Sequence, residues 1–379
     1  MILTMRSSNR RPEPPKPSGP PVEVVIETIG GEGDGVAAGP IYVPFTLPGE
    51  TVRATGGGER RDLEAVLVAS AERVEPPCPH FGVCGGCALQ HWDHAAYLAW
   101  KVERLRKTLG LQRIETEILA PFAAPPASRR RLALHARPGK RGEARLGYKT
   151  RKSWDVIDIS VCPIADPKLQ AALPDLRRLA APLLKHPKSA PTLHVTLTPE
   201  GLDIEITGVE RKSGGLSADA RMQLGEIASE VGFARVTMDG EVQYGARQPL
   251  VRVGPAVVAL PAGAFLQAVP AAEAAMAAFA LEQAAGAETR DLARRPVLAV
   301  ELKKTDTLLF DPPRAGALEQ TAEVATSKVS KVIGVSCNPA TFARDARVLI
   351  DAGFSLDRVF PVDQFLWSPH VELVGVFTR

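Results

Sequence analysis

Two stretches near the carboxyl end decide the fold of the last third, DTLLFDPPR at residues 306–314 and KVIGVSCNP at residues 331–339. Each begins with a short apolar run, which is typical of a buried strand. Helical spacing over residues 340–352 follows the second run. Strands that alternate with helices predict a parallel α/β sheet, whose sites lie beyond the carboxyl ends of its strands. Asp311 and Cys337 both fall at that edge.

The position of Cys337 predicts a reactive thiol. Asn338 is a favoured helix N-cap, and Pro339 suits the first helical turn. A helix N-terminus stabilises a thiolate, so the sequence predicts a lowered pKa and a nucleophilic cysteine. The alternative is a buried, inert cysteine.

A partner base is predicted from the carboxyl terminus. Residues 355–361 and 370–377 have the pattern of a closing β pair. If the last strand runs antiparallel to the sheet, Glu372 starts it on the same rim as Cys337 and Asp311. The alternative is an exposed carboxylate on an edge strand.

The other four cysteines form a spaced set, Cys78, Cys84, Cys87 and Cys162. Glycines 85 and 86 lie between two of them, and such glycines let backbone N–H groups approach inorganic sulfide. Zinc usually takes two short ligand pairs, and only one exists here. The set therefore favours an iron–sulfur cluster over zinc, and a disulfide is favoured less.

The amino-terminal part predicts a small β-barrel. Residues 1–20 are rich in proline and cations and predict a disordered basic tail. Residues 22–29 alternate apolar and acidic side chains as a strand does, and short strands with Gly/Pro turns follow. The glycine-rich residues 30–35 are not predicted to bind phosphate, because a phosphate-binding loop must lead into a helix and a strand pattern follows here.

Residues 129–152 are strongly basic, with ten cations against one acid, Glu143. His135, Tyr148 and Trp154 are interleaved. Cations neutralise phosphates and flat rings stack on bases, so this mixture indicates RNA or a single strand as partner. A solvated basic face is the alternative.

Bulk composition excludes several classes of protein. The 379 residues are 45% hydrophobic and 23% charged, which is typical of a multi-domain globular protein. The sequence contains no run of 18 apolar residues, so it predicts no membrane-spanning helix. Its first residues lack the organisation of a signal peptide. The sequence predicts a cytoplasmic monomer that is not bound to a membrane.

Together these residues resemble the RNA (uracil-5-)-methyltransferase family, particularly its iron–sulfur members that modify 23S ribosomal RNA. The shared motifs occur in the family's order from residue 22 to residue 379. They are Gly-Gly-Glu-Gly-Asp-Gly at 30–35, Leu-Pro-Gly-Glu at 47–50, the four spaced cysteines, Phe265-Leu-Gln267, Asp311-Pro-Pro-Arg314, Ser336-Cys-Asn-Pro339 and Trp367-Ser-Pro-His-Val-Glu372.

The resemblance implies a fold and a set of site residues. It implies an N-terminal TRAM or OB-like RNA-binding barrel over 21–75, a central α+β domain with a [4Fe–4S] loop over 76–255, and a Rossmann-like methyltransferase domain over 256–379. Cys78, Cys84, Cys87 and Cys162 would ligate the cluster. Gln267, Asp291 and Asp311 would help to bind S-adenosylmethionine.

The reaction that the resemblance implies is methylation of uridine C5 in RNA. The Cys337 thiolate would attack C6 of a splayed-out, single-stranded or loop uridine, so that C5 could take a methyl group. Glu372 would then remove the C5 proton as general base, and the cysteine would be eliminated.

The chain departs from the family at the cofactor loop. After the helix that ends near Ala285, the family's glycine-rich turn and the acidic residue that holds the cofactor's ribose are missing. Roughly two strands of the Rossmann-like domain are therefore predicted to be deleted, since a βαβ unit needs about 30 residues. Two other functions are considered: a catalytically inactive iron–sulfur RNA-binding paralogue, and an iron–sulfur redox protein.

Overall fold

The computed structural model describes residues 19–139, 143–186, 188–210, 215–284 and 297–379. The chain divides into two compact units, Met1–Val74 and Glu75–Arg379. The predicted tail at 1–20 lies outside the described residues except for Gly19 and Pro20.

The first unit is an antiparallel β structure of five strands in the order β3-β2-β1-β4-β5. The strands are β1 (Val22–Ile29), β2 (Gly35–Ala37), β3 (Ile41–Val43), β4 (Thr51–Thr55) and β5 (Asp62–Val68). Both edges meet, because the Tyr42 amide donates to the Glu59 carbonyl and the Tyr42 carbonyl accepts from the Arg61 amide. The strands thus fit the predicted small barrel.

Two of the amino-terminal motifs have structural explanations. A Cβ on Gly35 would lie 2.0 Å from the Thr46 hydroxyl oxygen, so only glycine fits at that position. Glu50, which ends the Leu47-Pro-Gly-Glu turn, is fully buried and accepts hydrogen bonds from the Leu47 amide and the Arg73 guanidinium. A buried carboxylate needs such partners.

The second unit contains seven α-helices and fourteen strands among the described residues. In chain order they are α1 (His94–Leu111), β6 (Glu117–Ile118), β7 (Phe122–Ala123), β8 (Arg131–Pro138), β9 (Ala144–Gly147), α2 (Pro167–Ala171), α3 (Leu173–Ala180), β10 (Thr192–Thr198), β11 (Gly201–Thr207), α4 (Ala218–Val231), β12 (Arg235–Met238), β13 (Glu241–Gly245), β14 (Leu250–Val253), β15 (Ala256–Ala259), α5 (Pro270–Gln283), β16 (Thr307–Phe310), α6 (Leu318–Thr326), β17 (Lys331–Ser336), α7 (Pro339–Asp351), β18 (Ser355–Asp363) and β19 (Glu372–Thr378).

A six-stranded sheet in the order β13-β12-β11-β10-β8-β9 forms the first half of this unit. One face packs on α3 and α4 through a leucine-rich core that includes Leu134, Leu176 and Leu224. The segment from Pro167 to Leu184 is helical, but it is divided into α2, α3 and a 3₁₀ turn. Pro174 lacks the amide that a continuous helix would need. The hairpin β14–β15 was not predicted.

The second half is a sheet in the order β16-β17-β19-β18-β6, with β7 beside β18. β16 and β17 are parallel, and β19 runs antiparallel to β17 and β18. The predicted α/β arrangement with an antiparallel closing strand is therefore confirmed. β6 and β7 come from the predicted central segment, yet they join this sheet. The domain boundary near residue 255 stays a prediction.

Helix ends follow the capping residues. Asn338 caps α7 by accepting from the Ala340 amide, and Pro339 occupies the first turn, as the sequence predicts. Asp93 caps α1 by accepting from the Ala95 and Ala96 amides. The first helix therefore starts at His94, directly after Asp93, because an N-cap aspartate fixes the start of a helix.

Candidate active site

The carboxyl ends of β16 and β17 form one edge of the second sheet. Their parallel pairing matches Phe310 with Gly334. Asp311 directly follows β16 and Cys337 directly follows β17, so the two residues lie at the same edge of the sheet. Side chains that follow the ends of parallel strands are the usual source of functional groups in such sheets.

Glu372 enters from the opposite direction. Ser336 pairs with Leu373 across the antiparallel strands β17 and β19. Cys337 directly follows β17, and Glu372 is the first residue of β19. The two residues therefore lie opposite each other, just beyond the last pair between these strands. Glu372 is 5% exposed, so its carboxyl group is nearly withdrawn from water.

A cleft of about 440 Å³ lies over this edge. Residues from the sheet rim line one side: Asp311, Pro312, Pro313, Arg314, Cys337, Gln364, Phe365 and Glu372. Residues from the first half of the unit and from the segment before α5 line the rest: Arg129, Arg131, Leu132, Ala133, His194, Phe265, Leu266, Gln267 and Ala268. Four predicted site residues, Gln267, Asp311, Cys337 and Glu372, thus share one cleft. Asp291 lies outside the described residues.

The protonation of Glu372 is set by its surroundings. Burial raises its pKa to about 7, the negative charge of Asp311 adds to this effect, and a hydrogen bond from Gln364 opposes it. A carboxyl group with a pKa close to neutrality can exchange protons efficiently at physiological pH.

The pKa of Cys337 differs from the prediction. Burial raises the pKa of its thiol above the ordinary value, and the charges of Glu372 and Asp311 raise it further, while Arg314 opposes them. The sequence predicts a lowered pKa from the helix N-terminus alone. That prediction is wrong, because it did not include the burial of the thiol or the two carboxylates that the fold brings to it.

Gln364 is a site residue that the sequence argument missed. It is 2% exposed and directly follows β18. Its side-chain amide donates to the carboxylate of Glu372 at 3.2 Å and to the side-chain oxygen of Gln267 at 2.6 Å. Its signal in the sequence is a polar residue that follows a strand and lies eight positions before the candidate base.

The segment 364–371, which we call the rim loop, is held by helix α1. The Lys101 ammonium donates to the Asp363 carboxylate at 2.6 Å and to the carbonyls of His370 and Phe365 at 2.5 and 3.3 Å. These contacts join the two ends of the loop. Burial lowers the pKa of Lys101 to about 8, although the charge of Asp363 opposes the shift.

The cysteine segment contacts the same loop. The amides of Ala88 and Leu89 donate to the carbonyl of Trp367 at 2.9 and 3.1 Å. Trp367 has a φ of 59°, in the left-handed region that non-glycine residues rarely adopt. Such a conformation persists when neighbouring contacts stabilise it.

The four spaced cysteines line one cavity of about 250 Å³. Three come from the loop before α1, and Cys162 comes from the turn before α2. The fold therefore brings Cys162 back to the loop that carries the other three. Burial raises the pKa of Cys87 to about 12. The Gly86 amide donates to the Cys84 sulfur at 3.4 Å. In the described part of the chain, no three His, Cys, Asp or Glu side chains are close enough to hold a single metal ion.

The predicted basic segment contributes cations to the face of the β13-β12-β11-β10-β8-β9 sheet that is not packed on α3 and α4, which we call the open face of the first sheet. Arg131, His135 and Arg137 alternate with buried residues along β8, and Arg145 of β9 pairs with Arg137. Lys149 lies 3.9 Å from the centre of the Trp154 ring, which is 77% exposed. Lys140 and Arg141 lie outside the described residues.

Within the described residues, no helix is both long and apolar enough to cross a bilayer.

Comparisons with known proteins agree with the motifs. The family described as tRNA (uracil-5-)-methyltransferase matches residues 272–379. An uncharacterized RNA methyltransferase from Caulobacter vibrioides is 57% identical, over 94% of this chain and 100% of the relative. The chain belongs to the RNA (uracil-5-)-methyltransferase family. It is therefore similar to enzymes such as the 23S rRNA (uracil(1939)-C(5))-methyltransferase RlmD of Acidithiobacillus ferrooxidans, with 30% identity over 96% of this chain and 99% of the relative.

The fold of this RNA (uracil-5-)-methyltransferase family member also matches a solved structure. The tRNA (uracil-54, C5)-methyltransferase of Pyrococcus abyssi, in complex with S-adenosyl-L-homocysteine, superimposes with a TM-score of 0.70. The match covers 94% of this chain and 99% of that protein at 21% identity. At this identity the likeness concerns the fold.

The relatives contain residues that this chain lacks. The comparison with the Caulobacter vibrioides protein spans 413 positions, whereas 94% of 379 residues is about 356 residues. The difference is about 57 positions at which the relative has a residue and this chain has none.

Proposed function

We propose that this RNA methyltransferase transfers a methyl group from S-adenosylmethionine to C5 of a uridine in RNA through a covalent adduct on Cys337. The observation that carries the proposal is the side-by-side exit of Cys337 and Glu372 from β17 and β19 into one cleft. A nucleophile next to a base of near-neutral pKa is what substitution at an unreactive ring carbon requires.

The reaction has three steps: attack of the cysteine, methyl transfer, and loss of the C5 proton with release of the cysteine. The Cys337 sulfur bonds to C6 of uracil, and the C5–C6 electron pair moves to form an enolate. C5 then takes the methyl group as its bond to the sulfonium sulfur breaks, which leaves S-adenosylhomocysteine. Glu372 accepts the C5 proton, and the electrons of that C–H bond restore the double bond and expel the cysteine thiolate.

The charges of the cleft act on the first and last of these steps. Cys337 must lose its proton to attack, and its raised pKa keeps the resting site in the less reactive thiol form. Arg314 is the cation that favours the thiolate. Glu372 must be ionised to accept the C5 proton, so we expect turnover to increase as the pH rises through about 7.

We propose Gln267 and Asp311 as the described residues that face the methyl donor, with Asp291 as a third candidate outside the described residues. The donor would lie in the cleft that both line. The solved relative with S-adenosyl-L-homocysteine supports a bound donor of this kind. The uridine would be splayed out of its stack to reach the cysteine.

A second function, an inactive iron–sulfur RNA-binding protein, is favoured by one observation. Among the described residues, β16 is the last strand on its side of the sheet. We propose that the absent 57 or so positions include the strands beyond β16 and the glycine-rich turn of the methyl-donor site. A helix N-terminus after such a turn is a usual seat for anionic and polar cofactor groups.

Calorimetry distinguishes the two functions. We expect the methyltransferase to bind S-adenosylhomocysteine with a measurable heat, and Asp311→Ala to weaken that binding at least tenfold. Glu319→Ala, an exposed change on α6, is the matched control and should bind as the parent does. No heat at millimolar ligand in the parent protein, with RNA binding intact, would establish the inactive paralogue instead.

We propose that Cys78, Cys84, Cys87 and Cys162 hold a [4Fe–4S] cluster. The support for this proposal is that all four cysteines, from two separate parts of the chain, line one cavity of about 250 Å³. The Gly86 amide donates to the Cys84 sulfur, and hydrogen bonds to sulfur are typical of iron–sulfur sites. When bound, the cluster would crosslink the two parts of the chain that supply the cysteines.

Protein purified without oxygen is expected to be brown and to contain about four irons per chain. Cys162→Ser should lower the iron content, whereas Cys337→Ala should leave it unchanged because that cysteine lines the other cleft. Iron and acid-labile sulfide are measured together. A colourless protein with one zinc per chain contradicts the proposal.

We propose that RNA lies along the open face of the first sheet and enters the cleft beside Arg131. Arg130 is paired with Glu273, and Arg131 donates to the Leu266 carbonyl, so both are engaged within the protein. Arg145 and Lys149 are the better phosphate ligands. The uridine of 23S rRNA is our proposed target, which the similarity to RlmD supports.

Affinity for RNA is expected to fall steeply with salt, because phosphate contacts release counterions. Arg145→Ala with Lys149→Ala should reduce the slope of log affinity against log salt by about 0.7 for each lost contact. Lys303→Ala with Lys304→Ala, which removes two exposed cations outside this face, is the control. An unchanged slope in the first double variant would exclude this face.

A further inference from the structure

We propose that Gln364 is a positioning residue, which holds the carboxylate of Glu372 in the cleft and joins it to Gln267. The inference rests on the proposed role of Glu372 as the base. Gln364 does not need to touch the substrate, because its two side-chain donors are both used within the protein.

The orientation of the Gln364 side chain is fixed by the main chain. Its oxygen accepts a hydrogen bond from the Ala268 amide at 3.2 Å. An amide N–H can face only an acceptor, so the NH₂ group of Gln364 must lie on the other side. There it meets two acceptors, the carboxylate of Glu372 and the side-chain oxygen of Gln267.

Two consequences follow for the cleft. The donor from Gln364 stabilises the ionised form of Glu372 and so opposes burial, which is the largest influence on that group. The oxygen of Gln267 is occupied, so its NH₂ group is what Gln267 can offer to a ligand. One residue thus favours the ionised form of the base and orients the side-chain amide of its neighbour.

The main chain at Gln364 is also restrained. Residue 363, directly before it, pairs with the buried Lys101, and the carbonyl of residue 365, directly after it, accepts from both Lys101 and Tyr97. A side chain on such an anchored backbone loses little conformational freedom when it makes its hydrogen bonds.

Other charged groups face the same cleft and would act on Glu372 in any titration. They are Arg129, Arg131, His194, Asp311, Arg314 and Cys337. Of these, Asp311 is the one that contributes to the raised pKa of Glu372. None of them is altered by a change at Gln364, so a variant there isolates the effect of its hydrogen bond.

The test is a ¹³C NMR titration of the Glu372 side-chain carboxyl in the full-length protein, assigned by the loss of its signal in Glu372→Gln. The parent midpoint should lie at about 7. Gln364→Met fills a similar volume without the donor, and Gln364→Asn keeps an amide that is one methylene too short. Both should raise the midpoint by about one unit or more. Gln320→Met changes another buried glutamine, which bonds to Val297, and should leave it unchanged.

Activity supplies a second readout. A rise of the pKa from about 7 to about 8 would lower the ionised fraction of Glu372 at pH 7 about fivefold. Therefore kcat at pH 7 should fall by that factor and recover at higher pH. An unmoved Glu372 midpoint in both Gln364 variants overturns the inference. A raised midpoint in a protein that never methylates RNA supports the inference and contradicts the proposed function.

Discussion

Replacing Cys337 by alanine is expected to abolish a covalent complex with RNA that carries 5-fluorouridine at the target position. Fluorine cannot leave C5 as a proton does, so the cysteine stays bonded to C6 after methyl transfer. The same change should lower turnover on ordinary RNA by about 10⁴-fold or more, because removing a catalytic nucleophile has effects of this order. Denaturing gels and intact mass spectrometry detect the complex.

Two controls make this trap informative. Cys162→Ser removes a cysteine of the other cavity and should leave the identity of the attacking residue unchanged. A chimera that carries the additional residues of the Caulobacter vibrioides relative should trap more RNA than the parent, if those residues complete the methyl-donor site. Trapping that survives in Cys337→Ala would exclude that cysteine as the nucleophile.

Replacing Glu372 by glutamine is expected to stop product release and to stabilise the fold at the same time. Without a base for the C5 proton, a methylated adduct should accumulate on ordinary RNA, with release slowed by about 10² to 10⁴-fold. The stability effect has a definite sign. The folded pKa of about 7 lies above the ordinary value of 4.5, so the associated stability is present below pH 4.5 and is lost as the pH rises through 7.

At pH 8 the buried charge of Glu372 therefore destabilises the folded state, and Glu372→Gln should raise the free energy of unfolding by about 3 kcal/mol. At pH 4 the difference in the free energy of unfolding should nearly vanish, because Glu372 is then mostly protonated in both the folded and the unfolded protein. Urea unfolding at the two pH values measures this. Glu319→Gln on the surface of α6 is the control and should show no gain. A gain at pH 4 equal to that at pH 8 would show that packing, not charge, is responsible.

The sequence located the main catalytic candidates because strand ends are easy to predict. Asp311 and Cys337 follow apolar runs, and parallel strands place the residues after them at one edge. Glu372 required one further assumption, the antiparallel direction of the last strand, and the structure confirms that direction. The barrel was predicted for a similar reason, since alternation and turns are local signals.

Long-range contacts explain what the sequence argument missed. The pKa of Cys337 depends first on its burial and then on the charges of Glu372 and Asp311, which come from other parts of the chain. Gln364 gains its place from an amide 96 residues away, and Lys101 bonds to an acid 262 residues away. β6 and β7 join a sheet whose other strands lie much later in the chain. No local pattern specifies such pairs, because they form only when distant segments pack together.

The link between the cysteine segment and the rim loop shows how the two cavities are connected. Residues 88 and 89, directly after Cys87, donate to the carbonyl of Trp367, and α1 begins five residues later. The rim loop that carries Gln364 and leads to Glu372 is thus held by the segment that leaves the cysteine cavity. A cluster bound in the cysteine cavity would therefore act on the rim loop through this segment.

The central claim is that this chain methylates uridine C5 in RNA through Cys337. The most direct measurement is mass spectrometry of nucleosides from unmodified 23S rRNA transcript after incubation with the protein and S-adenosylmethionine. We expect 5-methyluridine at a single position with the parent protein and none with Cys337→Ala. Folded protein that binds both RNA and S-adenosylmethionine yet forms no 5-methyluridine, or a Cys337→Ala variant that still forms it, would contradict the proposed function.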